Sequence, residues 1–299
     1  MSATDWLLLL ILSVLWGGSF YFAKIAVLEI PPLTLALGRV GIAAAVLAVF
    51  ARAIAAPFPR DTASWRLLAV MAFFNNVVPF TLLFWAQIHM SIGLASILNA
   101  TSPLFGVLMA HAMTHDDKFT VGRAVGLVAG FAGVVVLIGP DLMGELGIHV
   151  LAELACLAAS CSFAVGAVLS RRVRGFSPVI VATGQLTMST VLLLPLVLLF
   201  DRPESALTAS RAAIWAMVSL ALLSSALAYL IYFRVIARAG ATNALIVTFL
   251  IPVSAILLGV ALLHEVVDAR QIAGMAAIFI SVAAIDGRAA RFIASALRH

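Results

Sequence analysis

Charged residues are scarce along this chain. Only 10% of its 299 residues are Asp, Glu, Lys or Arg, whereas 64% are hydrophobic. Soluble domains carry about 25% charged residues, so the composition excludes an ordinary soluble protein. A membrane-crossing helix needs about 20 apolar residues, which leaves room for about ten crossings and no separate soluble domain. The apolar runs are continuous rather than alternating, which excludes a transmembrane β-barrel. The composition therefore predicts an all-α membrane protein.

Cysteines and clustered basic residues are also few. Cys156 and Cys161 lie in one apolar segment on different faces of a helix, so no disulfide between them is expected. The net charge is +5, but the basic residues are spread between apolar segments and form no patch with interleaved aromatics. Nucleic acid is therefore not an expected partner. No Lys or Arg precedes Lys24 and no A-x-A site follows the first segment, which we expect to be retained.

The chain lacks a recognisable catalytic set. It shows no Ser-His-Asp order, no paired acids within an apolar run and no glycine-rich phosphate loop. His111 and His115 stand at i and i+4 near Asp116 and Asp117, a spacing that can hold a metal. Because they end a segment beside a charged loop, solvation or helix-end capping is the favoured interpretation. We expect no enzyme activity, no metal and no cofactor.

Ionisable residues are missing from the centres of the predicted crossings. Such a group would mark a path for a substrate or an ion. Its absence argues against a phosphate-bearing solute, which would need Arg or Lys, and favours an uncharged or zwitterionic one. Asp5 and Glu153 lie at predicted helix starts, where capping explains them. The sequence thus favours facilitated diffusion over proton coupling.

Ten apolar segments joined by short links are present. Their ranges are Trp6–Val27, Leu33–Ala53, Trp65–Ile88, Ile92–Met113, Thr120–Ile138, Val150–Leu169, Val179–Phe200, Ile214–Phe233, Thr242–Leu263 and Val267–Ile285. Gly139-Pro140-Asp141, followed by Gly144 and Gly147, predicts a turn near the middle of the chain.

The basic residues predict the orientation, because cytoplasmic loops carry the excess of Lys and Arg. A cytoplasmic N-terminus puts thirteen of the eighteen inside. The five assigned to the outside are Lys24, Arg39, Arg202, Arg211 and Arg270. We therefore expect both termini to be cytoplasmic, the link at 141–147 to be external, and the protein to lie in the cytoplasmic (inner) membrane.

The two halves of the chain repeat one layout. Pro103 recurs as Pro252, 149 residues later, and Ala95, Ile97 and Leu108 recur with the same offset. Asn75-Asn76 falls on Ser224-Ser225, and Phe80 falls on Tyr229. An odd number of crossings, five, in each half makes the second half inverted relative to the first. We place the first repeat at 1–140, the second at 148–288 and a cytoplasmic tail at 289–299.

These residues resemble the EamA-type ten-helix branch of the drug/metabolite transporter superfamily. The resemblance rests on Trp16-Gly17-Gly18-Ser19-Phe20, on Ser102-Pro103 and Ile251-Pro252, and on His264-Glu265 followed by Gly274. The resemblance covers nearly the whole chain. It implies export of small metabolites, chiefly amino acids, including aromatic and hydrophobic ones. The chain departs from the family at His115-Asp116-Asp117, where Gly-Glu is frequent. We expect the protein to be a monomer whose partners are the lipid bilayer and a small-molecule substrate.

Polar and aromatic residues at mid-depth are the candidate substrate ligands. They are Trp16, Ser19, Phe20, Asn75, Asn76, Phe80, Trp85, Asn99, Ser102, Tyr229, Tyr232 and Thr248, with Pro103 and Pro252 as helix breaks. Such residues also join helices by hydrogen bonds of about 0.6 kcal/mol each. For Asn75 and Asn76 we favour a role in the substrate site over helix packing, because two adjacent amides are not expected to point into one helix contact. A carrier of phosphorylated sugars or amphiphiles, a membrane enzyme and a passive channel remain the alternatives.

Overall fold

The computed structural model describes residues 1–113, 121–143, 147–173, 175–244 and 246–286. Seven of its helical segments are long and apolar enough to cross a membrane, and three shorter apolar helices complete ten crossings. The described ranges contain no strand. The predicted all-α membrane fold is confirmed.

The first half contains five crossings. Its elements are α1 (Ala3–Val27), α2 (Pro32–Ala53), α3 (Thr62–Ala72), the π-helical segment π1 (Phe73–Val77), α4 (Val78–His89), α5 (Ile92–Asn99), α6 (Ser102–Met113) and α7 (Val121–Met143). The third crossing is formed by α3, π1 and α4 together, and the fourth by α5 and α6.

The second half repeats this arrangement. Its elements are α8 (Ile148–Ser170), α9 (Pro178–Phe200), the short α10 (Ser205–Thr208), α11 (Arg211–Ala221), the π-helical segment π2 (Leu222–Leu227), α12 (Ala228–Ala239), α13 (Ala241–Ala244), α14 (Val247–Leu263) and α15 (Ala269–Asp286). The segments π1 and π2 begin 149 residues apart, at Phe73 and Leu222. The same helical defect therefore occurs at the same place in both halves.

Helices from opposite halves pack in related pairs. The second and seventh crossings, α2 and α9, pack together, as do the fifth and tenth, α7 and α15. The contact of α1 with α14 is the equivalent of the contact of α8 with α6. This reciprocity is that of a pseudo-two-fold axis between the halves, as expected for inverted repeats.

Local chemistry explains where several helices begin. In α1 the Ser2 side chain accepts from the Asp5 amide, and the Asp5 carboxylate accepts from the Ser2 amide at 2.8 Å. This capping box confirms the capping role of Asp5. The same prediction for Glu153 is wrong, because α8 begins at Ile148 with Gly147 as its N-cap, and Glu153 is buried more than a turn inside the helix.

The predicted central turn does not begin at Gly139. The helix α7 continues through Gly139, Pro140 and Asp141 to Met143, so this prediction is wrong. Proline has a backbone φ that fits a helix and removes only one donor, so its presence alone does not end α7. Residues 144–146, His115, Asp116, Asp117 and the tail at 289–299 lie outside the described residues.

The outer surface of the helical bundle is apolar. Val49, Val128, Leu199 and Phe200 expose between 70% and 74% of their surface. Lipid tails are as apolar as these side chains, so the exposure matches a bilayer rather than water. Polar residues are instead turned inward, toward the contact between the halves.

Candidate functional site

A cavity of about 740 Å³ lies between the two halves. At mid-depth it is bounded by α1, α2, π1, α4 and α5 of the first half and by α8, α9, π2, α12 and α14 of the second. It reaches the link between α8 and α9, where Ser170, Val173 and Phe176 line it, together with Ile236 from the last turn of α12. One end of the bundle is therefore open to the cavity.

Most of the predicted ligands line this cavity. They are Trp16, Ser19, Phe20, Asn75, Phe80, Asn99, Ser102, Tyr229, Tyr232 and Thr248, with the predicted break residue Pro252. The rings of Trp16 and Tyr232 lie 5.3 Å apart, and those of Tyr229 and Phe233 stack at 5.9 Å. The wall thus combines aromatic faces with a few amides and hydroxyls, which is the usual composition of a small-molecule site.

Asn76 and Trp85 do not line the cavity, so these two predictions are wrong. The Asn76 side chain is buried and donates to Ser189 Oγ in α9 at 2.9 Å. Asn75 donates to Gln185 Oε1 of the same helix at 2.8 Å. Because π1 inserts an extra residue into its turn, adjacent amides face one helix. Trp85 packs in the core against the His89 ring, with centroids 5.2 Å apart.

Pro103 follows an interruption in the fourth crossing rather than lining the site. The helix α5 ends at Asn99, and α6 begins at Ser102. A proline at 103 deprives the Asn99 carbonyl of its helical donor. Ser102 Oγ donates to that carbonyl at 2.7 Å, and Ser160 Oγ approaches it at 3.4 Å. The break is thus stabilised by hydroxyl groups.

Pro252 does not break its helix, contrary to the prediction. It lies inside the continuous α14, and the interruption comes earlier, between Ala244 and Val247. The proline fits the helix and removes one hydrogen bond, the one to the Thr248 carbonyl. Both Pro252 and Thr248 line the cavity, where a freed carbonyl can meet water or solute.

Arg39 is a cavity residue that the sequence reasoning missed. It lies two turns inside α2, about 10 Å from the start of the helix, and is only 7% exposed. Its Nε donates to Ser225 Oγ at 2.9 Å, and its Nη1 donates to Ser19 Oγ at 3.1 Å. Its Cζ lies 3.9 Å from the centroid of the Phe80 ring. The prediction that no charged group reaches mid-depth is wrong.

A sequence signal for this position did exist. The pair Pro31-Pro32 marks a helix start, because proline is favoured at the first helical position. A helix beginning there places Arg39 inside the membrane rather than in an external loop. The predicted segment Leu33–Ala53 already contains Arg39, but this residue was counted with the external loops, and the cation in the membrane was therefore overlooked.

The repeat relates α2 to α9 around this cavity. Each begins with proline, and glycines follow at Gly38 and Gly184. A Cβ on Gly38 would overlap the Met217 side chain, and one on Gly184 would overlap Leu68. Because Leu68 and Met217 are themselves 149 residues apart, these two close contacts are equivalent.

Arg39 and Gln185 therefore occupy equivalent positions, since each directly follows its glycine. Both line the cavity, and each bonds to a π segment of the opposite half: Arg39 to Ser225 and Gln185 to Asn75. The related walls thus differ in charge. Among the described lining residues Arg39 is the one with a full charge, and none is acidic.

The opposite end of the bundle is closed by two charged side chains. Lys24 Nζ donates to the carbonyls of Gln87 at 2.6 Å and Met90 at 3.0 Å, at the end of α4. Glu265, after α14, accepts from the amides of Ile92 at 2.8 Å and Gly93 at 3.3 Å, at the start of α5. We call these four hydrogen bonds the closed-end contacts. A carboxylate at a helix N-terminus is favoured by the helix dipole.

Two further links join the halves on this side. Glu29 accepts from the Ser210 amide and hydroxyl, each at 2.6 Å, and these bonds hold the pKa of Glu29 below its usual range. Asp201 accepts from the Thr34 amide at 2.8 Å and hydroxyl at 2.9 Å. The bundle is thus open at one end and closed at the other.

Comparison with known proteins gives the same architecture. Residues 5–139 and 150–285 each match the EamA-like transporter family. The uncharacterized transporter YoaV of Bacillus subtilis is 23% identical over 88% of this chain and 89% of its own. A probable amino-acid metabolite efflux pump of Salmonella typhimurium is 26% identical over 94% of this chain and 96% of its own.

Two other proteins are similar along nearly their whole length. A probable terminal-alkyne amino-acid exporter of Streptantibioticus cattleyicolor is 26% identical over 89% of this chain and 87% of its own. A crystal structure with a TM-score of 0.67 covers 98% of this chain and 99% of its own at 20% identity. At that identity the likeness bears on the fold alone.

Proposed function

Because the chain belongs to the EamA-like transporter family, and is therefore a membrane transporter rather than an enzyme, we propose that it exports amino acids and similar small zwitterionic or uncharged metabolites. The cavity between the halves is the transport site. The observation that carries this proposal is its one-ended opening, combined with aromatic and polar lining residues from both repeats. The relatives described as amino-acid exporters support the solute class.

We further propose that the protein lies in the cytoplasmic (inner) membrane with both termini in the cytoplasm. With Arg39 removed from the loops, thirteen of the remaining seventeen basic residues are cytoplasmic in this orientation, which follows the positive-inside rule. The open end, at the link between α8 and α9, then faces the cytoplasm. A carrier in this state is ready to load a solute for export.

Alternating access supplies the rest of the transport cycle. Two inverted repeats can exchange conformations, so that the closed end opens while the open end closes. Transport of this kind saturates and shows counterflow, whereas a passive channel shows neither. This difference separates the proposed carrier from the channel alternative.

A second candidate solute class is a phosphorylated metabolite, and one observation favours it. Arg39 supplies the mid-depth cation that the sequence reasoning found missing, and arginine binds phosphate as well as carboxylate. The two classes differ in charge, so exchange of sugar phosphates but not amino acids would favour the second.

Counterflow in proteoliposomes tests the proposal. Vesicles loaded with unlabelled phenylalanine, leucine, serine or glucose 6-phosphate would receive labelled solute outside. We expect transient accumulation for amino acids, strongest for the aromatic and aliphatic ones, and none in vesicles without protein. Accumulation of the sugar phosphate alone would contradict the amino-acid proposal.

A further inference from the structure

We propose that Arg39 is the carboxylate anchor of the cavity, so that a solute must carry a carboxylate to bind, whereas its amino group is dispensable. This inference rests on the cavity being the transport site, as proposed above. Of the solutes proposed there it selects those with a carboxylate, and it adds carboxylic acids that lack an amino group. It predicts that carboxylic acids without an amino group are bound, and that amines and amides derived from amino acids are rejected.

The Arg39 guanidinium is held in place without being neutralised. Its two hydrogen bonds go to the hydroxyls of Ser19 and Ser225, which carry no charge. Its face stacks on Phe80. A guanidinium has five N–H donors, so three remain for a ligand. Three elements, α1, α4 and π2, thus fix the orientation of the fork.

No described carboxylate forms an ion pair with Arg39. A buried cation without a counterion is costly, because burial removes hydration, and two hydroxyls and one aromatic face replace only part of it. A planar carboxylate matches the guanidinium fork with two parallel hydrogen bonds. A bound anionic group therefore completes this part of the structure, and it does so inside the cavity.

The rest of the cavity suits an aromatic or aliphatic body. Phe80, Phe163, Trp16 and Tyr232 contribute rings to its wall. Asn99 and Gln185 contribute uncharged amide groups to the lining. No described lining residue is acidic, so an ammonium finds only a neutral acceptor. The carboxylate is therefore the stronger anchor.

Three matched compounds test this inference on the purified full-length protein. They are phenylalanine, phenylalaninamide, which lacks the carboxylate, and 3-phenylpropanoate, which lacks the amine. Binding is read from ligand-dependent thermal stabilisation, because a ligand of the native state raises its apparent stability. We expect both carboxylates to bind and the amide to bind about 10- to 100-fold more weakly, the loss typical of a charge-assisted hydrogen-bond pair.

Variants locate the effect at Arg39. In Arg39→Gln the preference for the carboxylates should disappear, whereas Arg39→Lys, which keeps the charge but not the fork, should retain part of it. Arg66→Gln makes the same chemical change at an exposed position of α3 and should leave the preference unchanged. The conservative Arg39→Lys keeps the test informative if Arg39→Gln does not fold.

Binding of the amide by the wild type as tightly as phenylalanine would overturn the inference, and so would a preference that survives in Arg39→Gln. Failure of every carboxylate in the series to bind would also overturn it. Amino-acid counterflow together with amide binding leaves the proposed function standing without the anchor. Exchange of 3-phenylpropanoate but of no amino acid would contradict the proposed function and leave the carboxylate anchor standing.

Discussion

Polar side chains at mid-depth are held mainly by partners from the other half of the molecule. Arg39 bonds to Ser225, and Asn75 bonds to Gln185. The hydroxyl of Ser13 in α1 lies 3.0 Å from that of Ser254 in α14. Interhelical bonds of this kind average about 0.6 kcal/mol. Each is therefore weak enough to break and re-form when the halves move relative to one another.

Gly166 offers a test of how precisely Asn75 must be placed. A Cβ at this position would overlap the Asn75 amide, because α8 passes directly beneath it. We expect Gly166→Ala to displace the amide from Gln185 and from its place in the cavity wall, and to weaken solute binding by about 10-fold through the loss of one hydrogen bond between the amide and the solute. Counterflow at varied solute concentration would measure the effect as a raised KM.

The repeat supplies the control for this variant. Gly18 is the equivalent of Gly166, but a Cβ there meets Leu258 and Phe22 only at 3.8 Å, an ordinary contact. Gly18→Ala should therefore leave the KM nearly unchanged. An equal loss in both variants would mean that helix packing in general, rather than the Asn75 amide, sets the affinity.

Residue types at the site could be predicted from the sequence, but their directions only in part. Ser19, Asn99 and Tyr229 were recognisable because polar or amphipathic side chains in apolar segments need a sheltered face. The direction of the Asn76 side chain could not be predicted, since it depends on a π-helical turn that no residue pattern indicates. Arg39 was missed because it was counted with the external loop residues, although it lies six residues inside the predicted segment Leu33–Ala53.

At the scale of single elements, the broken fourth crossing is the sharpest feature. The proline at 103 was visible in the sequence, and so was the polar run before it. The hydroxyl groups that satisfy the freed carbonyl of Asn99 were not, because Ser160 comes from α8. Tertiary contacts of this kind decide whether a helix is interrupted at its proline, as at Pro103, or continues through it, as at Pro252.

Removing this helix break should stabilise the protein and slow its transport cycle. Pro103→Ala restores an amide that can reach the Asn99 carbonyl and join α5 to α6. A proline inside a helix costs about 3 kcal/mol, but Ser102 and Ser160 already offset part of that, so we expect a gain of about 1 kcal/mol. Thermal unfolding would measure the gain, and counterflow should slow severalfold if the break is a hinge.

Pro195→Ala provides the comparison for that variant. Pro195 lies inside α9 but outside the cavity lining, so its removal changes helix stability without touching the site. It should raise thermal stability and leave exchange rates alone. If Pro103→Ala exchanges solute at the wild-type rate despite a higher melting temperature, the break is structural and no hinge is needed there.

At the scale of the whole molecule, the closed-end contacts hold one side of the cavity shut. Removing the charge in Glu265→Gln weakens its bonds to the amides of Ile92 and Gly93, because an amide is a poorer acceptor than a carboxylate. The population should shift toward the state open on that side. In the Glu265→Gln variant we expect a cysteine introduced at Ala100 to react several times faster than in the wild-type background. The reagent is a membrane-impermeant thiol reagent added on the side of the closed-end contacts.

The measurement needs a background in which Cys156 and Cys161 are replaced by serine. Glu204→Gln is the control, since this exposed carboxylate lies in a link on the same side and outside the closed-end contacts. It should not change the labelling rate. Equal labelling in wild type and Glu265→Gln would show that other links, such as Asp201 to Thr34, keep the end closed by themselves.

The pseudo-two-fold relation between the walls allows a last and stricter test. Arg39 and Gln185 are equivalent, and each follows a glycine that admits an equivalent residue of the third or eighth crossing. Exchanging them in Arg39→Gln with Gln185→Arg moves the charge across the cavity and keeps the composition of the wall. Asn75 would then meet the new guanidinium, as Ser225 meets the present one. We expect the double variant to recover most of the carboxylate preference lost in Arg39→Gln, because the repeat places a π segment and an aromatic ring beside both positions. Thermal stabilisation by phenylalanine and by phenylalaninamide measures that preference in all three proteins. A double variant that unfolds cooperatively at the wild-type temperature but binds both compounds alike would mean that Ser19 and Phe80, which the second half replaces with Ala167 and Tyr229, make the anchor specific to one wall.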